Sequence, residues 1–286
     1  MSFSKIITQD SAKDIITGQL RSGRTPHAYL FLGEDGVGRR ATAMELAKAL
    51  NCMKQAEGHT AVDACDHCPS CRKIDEGIHP DVQSIDFAWQ ARLEDKEPEK
   101  QKSIKIDTIR VLQHDINLKP TEGAWKIYLI EPADKMTLDA ANCLLKTLEE
   151  PPARTIIILL ARHKENLPAT IVSRTQTIYF RPIPEHHVAE YLIRTAGVSP
   201  EEALAIARIS EGSLSTALRL REERTALQES LWQKLKTPGL TTADLLNMSK
   251  NAARNAAETL DELLAEAKPD FRHAPEQYAD TLSSVL

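Results

Sequence analysis

Three short runs, Ala28 to Leu32, Lys126 to Ile130 and Thr155 to Leu160, are almost entirely apolar and lie between stretches whose apolar residues recur at helical spacing. Runs of five or six such residues suit strands buried on both faces, and their alternation with helices predicts an α/β fold: a parallel sheet with helices on both sides. Two weaker segments, Asp81 to Phe87 and Ile178 to Phe180, read as further strands. Helical spacing covers residues 5–22, 40–50, 104–118 and 138–149. After Pro182-Ile-Pro184 the strand signals stop, and residues 186–195, 200–210, 213–235, 242–250 and 253–267 all read as helices.

The first strand ends in the loop Gly33-Glu-Asp-Gly36-Val-Gly38-Arg39-Arg40, which opens the next helix. That is the context of a phosphate-binding loop, in which backbone N–H groups cradle phosphates, a Lys reaches the terminal oxygens and a Ser or Thr holds Mg²⁺. Here Arg39 stands at the Lys position and Arg40 at the hydroxyl position. The second strong strand runs into Glu131-Pro132-Ala133-Asp134, with Pro where a water-activating acid would fall. Gly33, Gly36, Gly38, Arg39 and Arg40 therefore read as a degenerate, inactive nucleotide site, with a tight turn as the bland alternative.

Cys52, Cys65, Cys68 and Cys71 form C-x12-C-x2-C-x2-C inside a loop-rich insert at about 51–80. Four thiolates at this spacing suit a closed tetrahedral structural Zn²⁺ site, with an iron–sulfur cluster or unmetallated thiols as weaker alternatives. His59, His67 and His79 are read as bystanders, and Cys143, within a helical pattern, as a core thiol. Between Ala91 and Lys105 nine of fifteen residues are charged, five basic and four acidic, which predicts a solvated linker or loop.

Lys and Arg total 36 against 41 Asp and Glu, a net charge of −5, so there is no overall basic pull toward nucleic acid. This disfavours a zinc-containing DNA-binding module. The start, MSFSKIITQD, is polar, and the longest apolar run, Ile156 to Ala161, is too short for a membrane helix or signal core. A cytoplasmic protein with no membrane contact is expected.

Together, His27-Ala-Tyr-Leu-Phe31, the glycine loop, the cysteine module, Asn142-Cys-Leu-Leu-Lys-Thr-Leu-Glu-Glu-Pro-Pro152 and Ile171-Val-Ser-Arg174 resemble the AAA+ subunits of bacterial clamp loaders, from about residue 4 to about residue 220. The resemblance implies three parts: an AAA+ core at 1–181 carrying the zinc module, a helical lid at 182–222, and a helical collar at 223–286 that is short, either reduced or incomplete. Within that family, Arg39, Arg40 and Pro132 match the delta-prime branch, which commonly loses hydrolysis. Ser215, where an ATP-contacting Arg is usual, agrees.

Ser173-Arg174 matches the family's Ser-Arg-Cys motif, with Thr175 in place of Cys. The resemblance thus assigns Arg174, with Ser173 in the same motif, to catalysis in trans: an arginine finger reaching a neighbouring subunit's ATP. It implies gamma/tau and delta subunits of a DNA polymerase III clamp loader as partners, with the sliding clamp and primer–template DNA contacted indirectly. ATP would be bound by the neighbours rather than by this chain. The alternative is a gamma/tau-like ATPase motor with its own nucleotide site.

Overall fold

The computed structural model describes residues 3–56 and 62–223, which fall in two compact units, Met1–Ile183 and Pro184–Leu286. The first is built on five parallel strands: β1 (Ala28–Leu32), β2 (Val82–Ile85), β3 (Lys126–Ile130), β4 (Thr155–Ala161) and β5 (Gln176–Tyr179), in the order β2-β3-β4-β1-β5. β1 is flanked on both sides, with Leu30 beside Leu159 of β4 and Thr177 of β5. The helices are α1 (Asp10–Ser22), α2 (Arg39–Asn51), α3 (Met53–Ala56), α4 (Pro69–Asp75), α5 (Phe87–Glu94), α6 (Ile106–Ile116), α7 (Leu138–Glu149) and α8 (Ala169–Val172).

Period-two geometry sends alternate strand residues to opposite faces. On one face Ile156, Ile158 and Leu160 join Tyr29, Phe31 and the inner sides of α1 and α2; on the other, Ile157, Leu159 and Ala161 join Leu30, α6 and α7. Every residue of β4 is buried, each large aliphatic one contributing about 1.5–3 kcal/mol of burial. The expected parallel sheet with two helical layers is present.

Two expectations on the chain's course are corrected. The helix predicted over 5–22 is broken: a 3₁₀ turn spans Phe3–Lys5, Thr8 and Gln9 have left-handed φ of 56° and 55°, and α1 starts at Asp10. The cause is Gln9, whose amide donates to the Val37 carbonyl at 3.0 Å and the Arg181 carbonyl at 2.6 Å and accepts from the Arg181 N–H at 3.1 Å. The stretch 91–105 is exposed loop for most of its length, as expected, but it begins as helix and is tied down rather than a free linker. α5 runs into it, and the buried Gln90 amide donates to Gln101 Oε1 and the Ser103 carbonyl while its oxygen accepts from the Lys105 N–H and Thr108 hydroxyl.

Asp81, only 2% exposed, accepts the backbone N–H groups of Thr121, Glu122 and Gly123, each at 2.7 Å, and so fixes the approach to β3. Burial pushes its pKa up, but those three donors outweigh burial and hold it below the ordinary carboxylate value. Burial likewise lowers His79, whose Nδ1 accepts from the Asp81 N–H at 3.1 Å and whose Nε2 then donates to Ser70 Oγ at 3.2 Å. Both folded pKa values lie below their unfolded ones. The stability they contribute is therefore full above about pH 6.5 and falls as pH drops, first through His79 and then, below about pH 4, through Asp81. Asp81→Ala removes the shared acceptor of three part-buried N–H groups and should cost about 2–3 kcal/mol in urea unfolding at pH 7. It should also flatten the acid limb of the stability profile; an unchanged midpoint would remove the assignment.

The second unit contains α9 (Glu185–Ala196), closed by Gly197 at φ 64°, and α10 (Pro200–Ile209), capped by Ser199 Oγ accepting from the Glu202 N–H at 3.3 Å. A further helical segment begins at Leu214 and continues to the last described residue, 223. The helices predicted beyond that point, and the collar, lie outside the described residues. Among the described residues no helix is long and apolar enough to cross a membrane.

Candidate functional site

The glycine loop emerges at the carboxyl edge of the sheet, where open parallel sheets bind ligands. Gly33 has φ 152°, and a Cβ there would lie 2.6 Å from the Phe180 carbonyl, so only glycine fits between β1 and the chain leaving β5. Gly36 and Gly38 have φ 76° and 103°, and Gly38 immediately precedes α2.

The side chains that follow are committed to the chain's own acids. Arg39, only 4% exposed, turns back to Asp35 (Nη2 to Oδ1, 2.5 Å), and Arg162, just past β4, grips the other oxygen of the same carboxylate. Arg39 Nη1 is buried without a partner. Arg40 donates to Glu131 Oε2 at 2.9 Å and to Ser84 Oγ at 3.1 Å. Where a working loop extends a lysine toward phosphate, this one turns a buried guanidinium back onto a carboxylate that it shares with Arg162. Where a hydroxyl and an acid would share Mg²⁺, an arginine–glutamate pair stands. Asp35 and Arg162 escape sequence reading: Asp35 precedes Arg39 by one helical turn, but Arg162 is 127 residues away.

Arg174 lies between α8 and β5. Its Nη1 donates to the Thr170 carbonyl at 3.1 Å and to Ser173 Oγ at 3.3 Å, and its Nη2 pairs with Glu149 Oε1 at 2.8 Å. The side chain keeps 36% of its surface open. Ser173, at the end of α8, thus touches the guanidinium directly, and Glu149, from the run Asn142 to Pro152, is its ionic partner. Ser215 contacts Ser213 Oγ at 3.2 Å, while Ser213 caps the following helix by accepting from the Thr216 N–H.

Cys52 is the residue that ends α2, Cys65 and Cys68 lie on the loop before α4, and Cys71 sits in α4. Their sulfurs all lie within 4.8 Å of one another, so these four could hold a metal ion. A tetrahedral ion about 2.3 Å from each thiolate needs sulfurs about 3.8 Å apart, which this cluster reaches with small adjustments. Backbone N–H groups point at the sulfurs: Cys65 to Cys52 at 3.4 Å, Cys68 to Cys65 at 3.3 Å and Cys71 to Cys68 at 3.4 Å. Burial raises the Cys65 thiol, yet the N–H groups of His67 and Cys68, with the neighbouring Cys52 and Cys68 side chains, overcome it and bring the pKa down to about 6. His67 is exposed and His79 is engaged by Ser70 and Asp81, neither ring lying in the sulfur cluster, and His59 lies outside the described residues. Cys143 is half-buried against the α6–α7 core and donates to Gln113 Oε1 at 3.2 Å.

Comparison with known proteins brings these features under one family. A family model described as "DNA polymerase III, delta subunit" matches residues 8–184. The DNA polymerase III subunit delta' of Escherichia coli is 34% identical over 222 residues, covering 77% of this chain and 62% of that protein. The delta' subunit of Pseudomonas aeruginosa is 35% identical over 218 residues, covering 73% and 62%. The E. coli subunit tau is 32% identical over 230 residues, covering 79% of this chain and 33% of tau. The chain thus spans less than two thirds of the length of each of these relatives. Among solved structures, a gamma subunit-related protein of Thermotoga maritima superposes with TM-score 0.50 at 22% identity, covering 95% of this chain and 77% of the other. The RuvB Holliday junction branch migration motor of T. maritima superposes with TM-score 0.51 at 15% identity, covering 87% and 71%. These two likenesses show the AAA+-like fold. With more than half of its residues matched by the family model, the chain belongs to the DNA polymerase III delta subunit family.

Proposed function

We propose that this chain is a delta-prime-like, non-hydrolysing subunit of a DNA polymerase III clamp loader. It joins gamma/tau and delta subunits, in the cytoplasm, in a ring that opens the sliding clamp and places it on primer–template DNA. The observation that carries this is the division of labour between two arginine sets. Arg39 is buried and turned back to Asp35, and Arg40 pairs with Glu131, so neither loop position offers the Lys or the hydroxyl that nucleotide chemistry uses, whereas Arg174 keeps the family's Ser-Arg motif and leaves 36% of its side chain open beside Glu149.

ATP is bound by neighbouring subunits. Arg174, directed by Ser173, reaches such a site and neutralises charge developing on the γ-phosphate. The core at 1–181 carries this chemistry, residues 182–222 act as a lid and residues 223–286 as a collar. A net charge of −5 suits contacts made mainly with other subunits.

The metal is Zn²⁺ in a structural role. Four sulfur donors and three N–H···S contacts, with no oxygen or imidazole donor in the cluster among the described residues, support a closed site for a single borderline-soft ion. Metal analysis of the purified chain should give close to one equivalent; less than about half an equivalent contradicts it.

The overall proposal is tested by reconstitution with gamma/tau and delta subunits of the same cell. Omitting this chain should abolish the complex or its clamp loading, and adding it back should restore both. Full loading by a complex that excludes the chain overturns the proposal. The motor alternative predicts instead that the isolated chain consumes ATP.

A further inference from the structure

Lys48 is a charged side chain that nothing in the nucleotide or finger chemistry uses, and it is only 1% exposed. An ammonium has three N–H donors, and burial leaves it no water to satisfy them. All three find carboxylates: Glu45 at 2.8 Å, Asp66 at 2.8 Å and Asp75 at 3.0 Å. The second oxygen of Asp66 takes Lys5 at 2.9 Å.

These partners are distributed among the segments that carry the four sulfurs. Lys48 itself lies on α2, one turn before Cys52. Asp66 stands between Cys65 and Cys68 with left-handed φ of 61°, a conformation uncommon for non-glycine residues though one that Asp adopts more readily than most. Asp75 ends α4, one turn beyond Cys71. One ammonium therefore binds together the end of α2, the 65–68 loop and α4.

We propose that Lys48 is a positioning residue of the metal centre: by holding Asp66 and Asp75 against α2 it sets the spacing of the four thiolates before an ion enters. The proposal rests on these cysteines holding a metal. Groups that orient ligands from outside the coordination sphere typically influence metal affinity by about 10–100-fold. Glu45 lies on α2 itself and links no second segment, so it serves as the contrast.

The test is competition of the whole chain with a chromophoric chelator for Zn²⁺, together with the visible absorption of the Co²⁺-loaded protein. Lys48→Met should weaken metal binding by about 10–100-fold and alter the tetrahedral Co²⁺ bands; Asp66→Asn should do so more mildly, by about tenfold. Glu45→Gln should stay within about threefold of wild type. Should Lys48→Met fail to fold, by circular dichroism, Asp66→Asn decides alone. Affinity within about twofold of wild type, with unchanged Co²⁺ bands, in each variant that folds overturns the proposal while leaving the metal centre standing. A wild-type chain that takes up neither Zn²⁺ nor Co²⁺ overturns both.

Discussion

Arg174→Ala should lower ATP hydrolysis by the reconstituted complex at least about tenfold while the complex still assembles. The chain itself should tolerate the change: the side chain is partly exposed, and its pair with Glu149 is a surface ion pair, typically worth about 0–1 kcal/mol. The loss falls on the neighbour's chemistry. A guanidinium supplied in trans to a γ-phosphate is worth about 10³–10⁵ in rate, so tenfold is a floor that allows other ATP sites in the ring to keep working. Arg174→Lys retains the charge but not the two-pronged donor geometry and should fall between wild type and Ala. Hydrolysis unchanged in an intact Arg174→Ala complex removes the finger.

Cys71→Ser should abolish stoichiometric metal binding and loosen the cysteine module. Cys71 is fully buried, and its sulfur shares the cluster with Cys52, the residue that closes α2, so the damage is not confined to a surface loop. Metal binding supplies roughly 10–16 kcal/mol to small zinc domains that cannot fold without it. Here the sheet has its own core, and only a fraction of that energy reaches it through α2. A transfer of about 3 kcal/mol lowers the thermal midpoint by about 6–12 °C. Protease cleavage between residues 62 and 75 should accelerate by at least about tenfold. Chelation of the wild type should reproduce both effects, and a Cys71→Ser chain with normal metal content and melting would refute the assignment.

The parts of this fold that follow from side-chain periodicity were legible in the sequence. The apolar run Thr155 to Leu160 and its companions predicted the sheet, and the C-x2-C steps predicted the convergence of Cys65, Cys68 and Cys71. What was not legible depends on pairing across the chain. Asp35 meets Arg162, Arg40 meets Glu131 and Lys48 meets Asp66 and Asp75, and no local pattern announces any of them. The substitution of Arg39 and Arg40 signalled a degenerate loop, but only the structure explains where those charges go. The stretch 91–105 misled for the opposite reason: its charges report truthfully on mostly exposed side chains, while the order comes from the buried amides of Gln90 and Gln101 and from Glu94, which pairs with Lys96 and Lys105. The break before α1 likewise arises from the buried side chain of Gln9, whose partners lie at Val37 and Arg181.

The glycine loop and Arg174 together make one claim, that this chain does not hydrolyse ATP itself but enables a neighbour to do so. The most direct measurement is ATP turnover by the purified, zinc-loaded chain alone, set beside turnover by the reconstituted complex under the same conditions. With Arg39 and Arg40 paired to Asp35 and Glu131, the isolated chain should show no hydrolysis above background while the complex is active. Turnover by the isolated chain at a rate comparable to the complex would contradict the claim and favour a motor with its own nucleotide site.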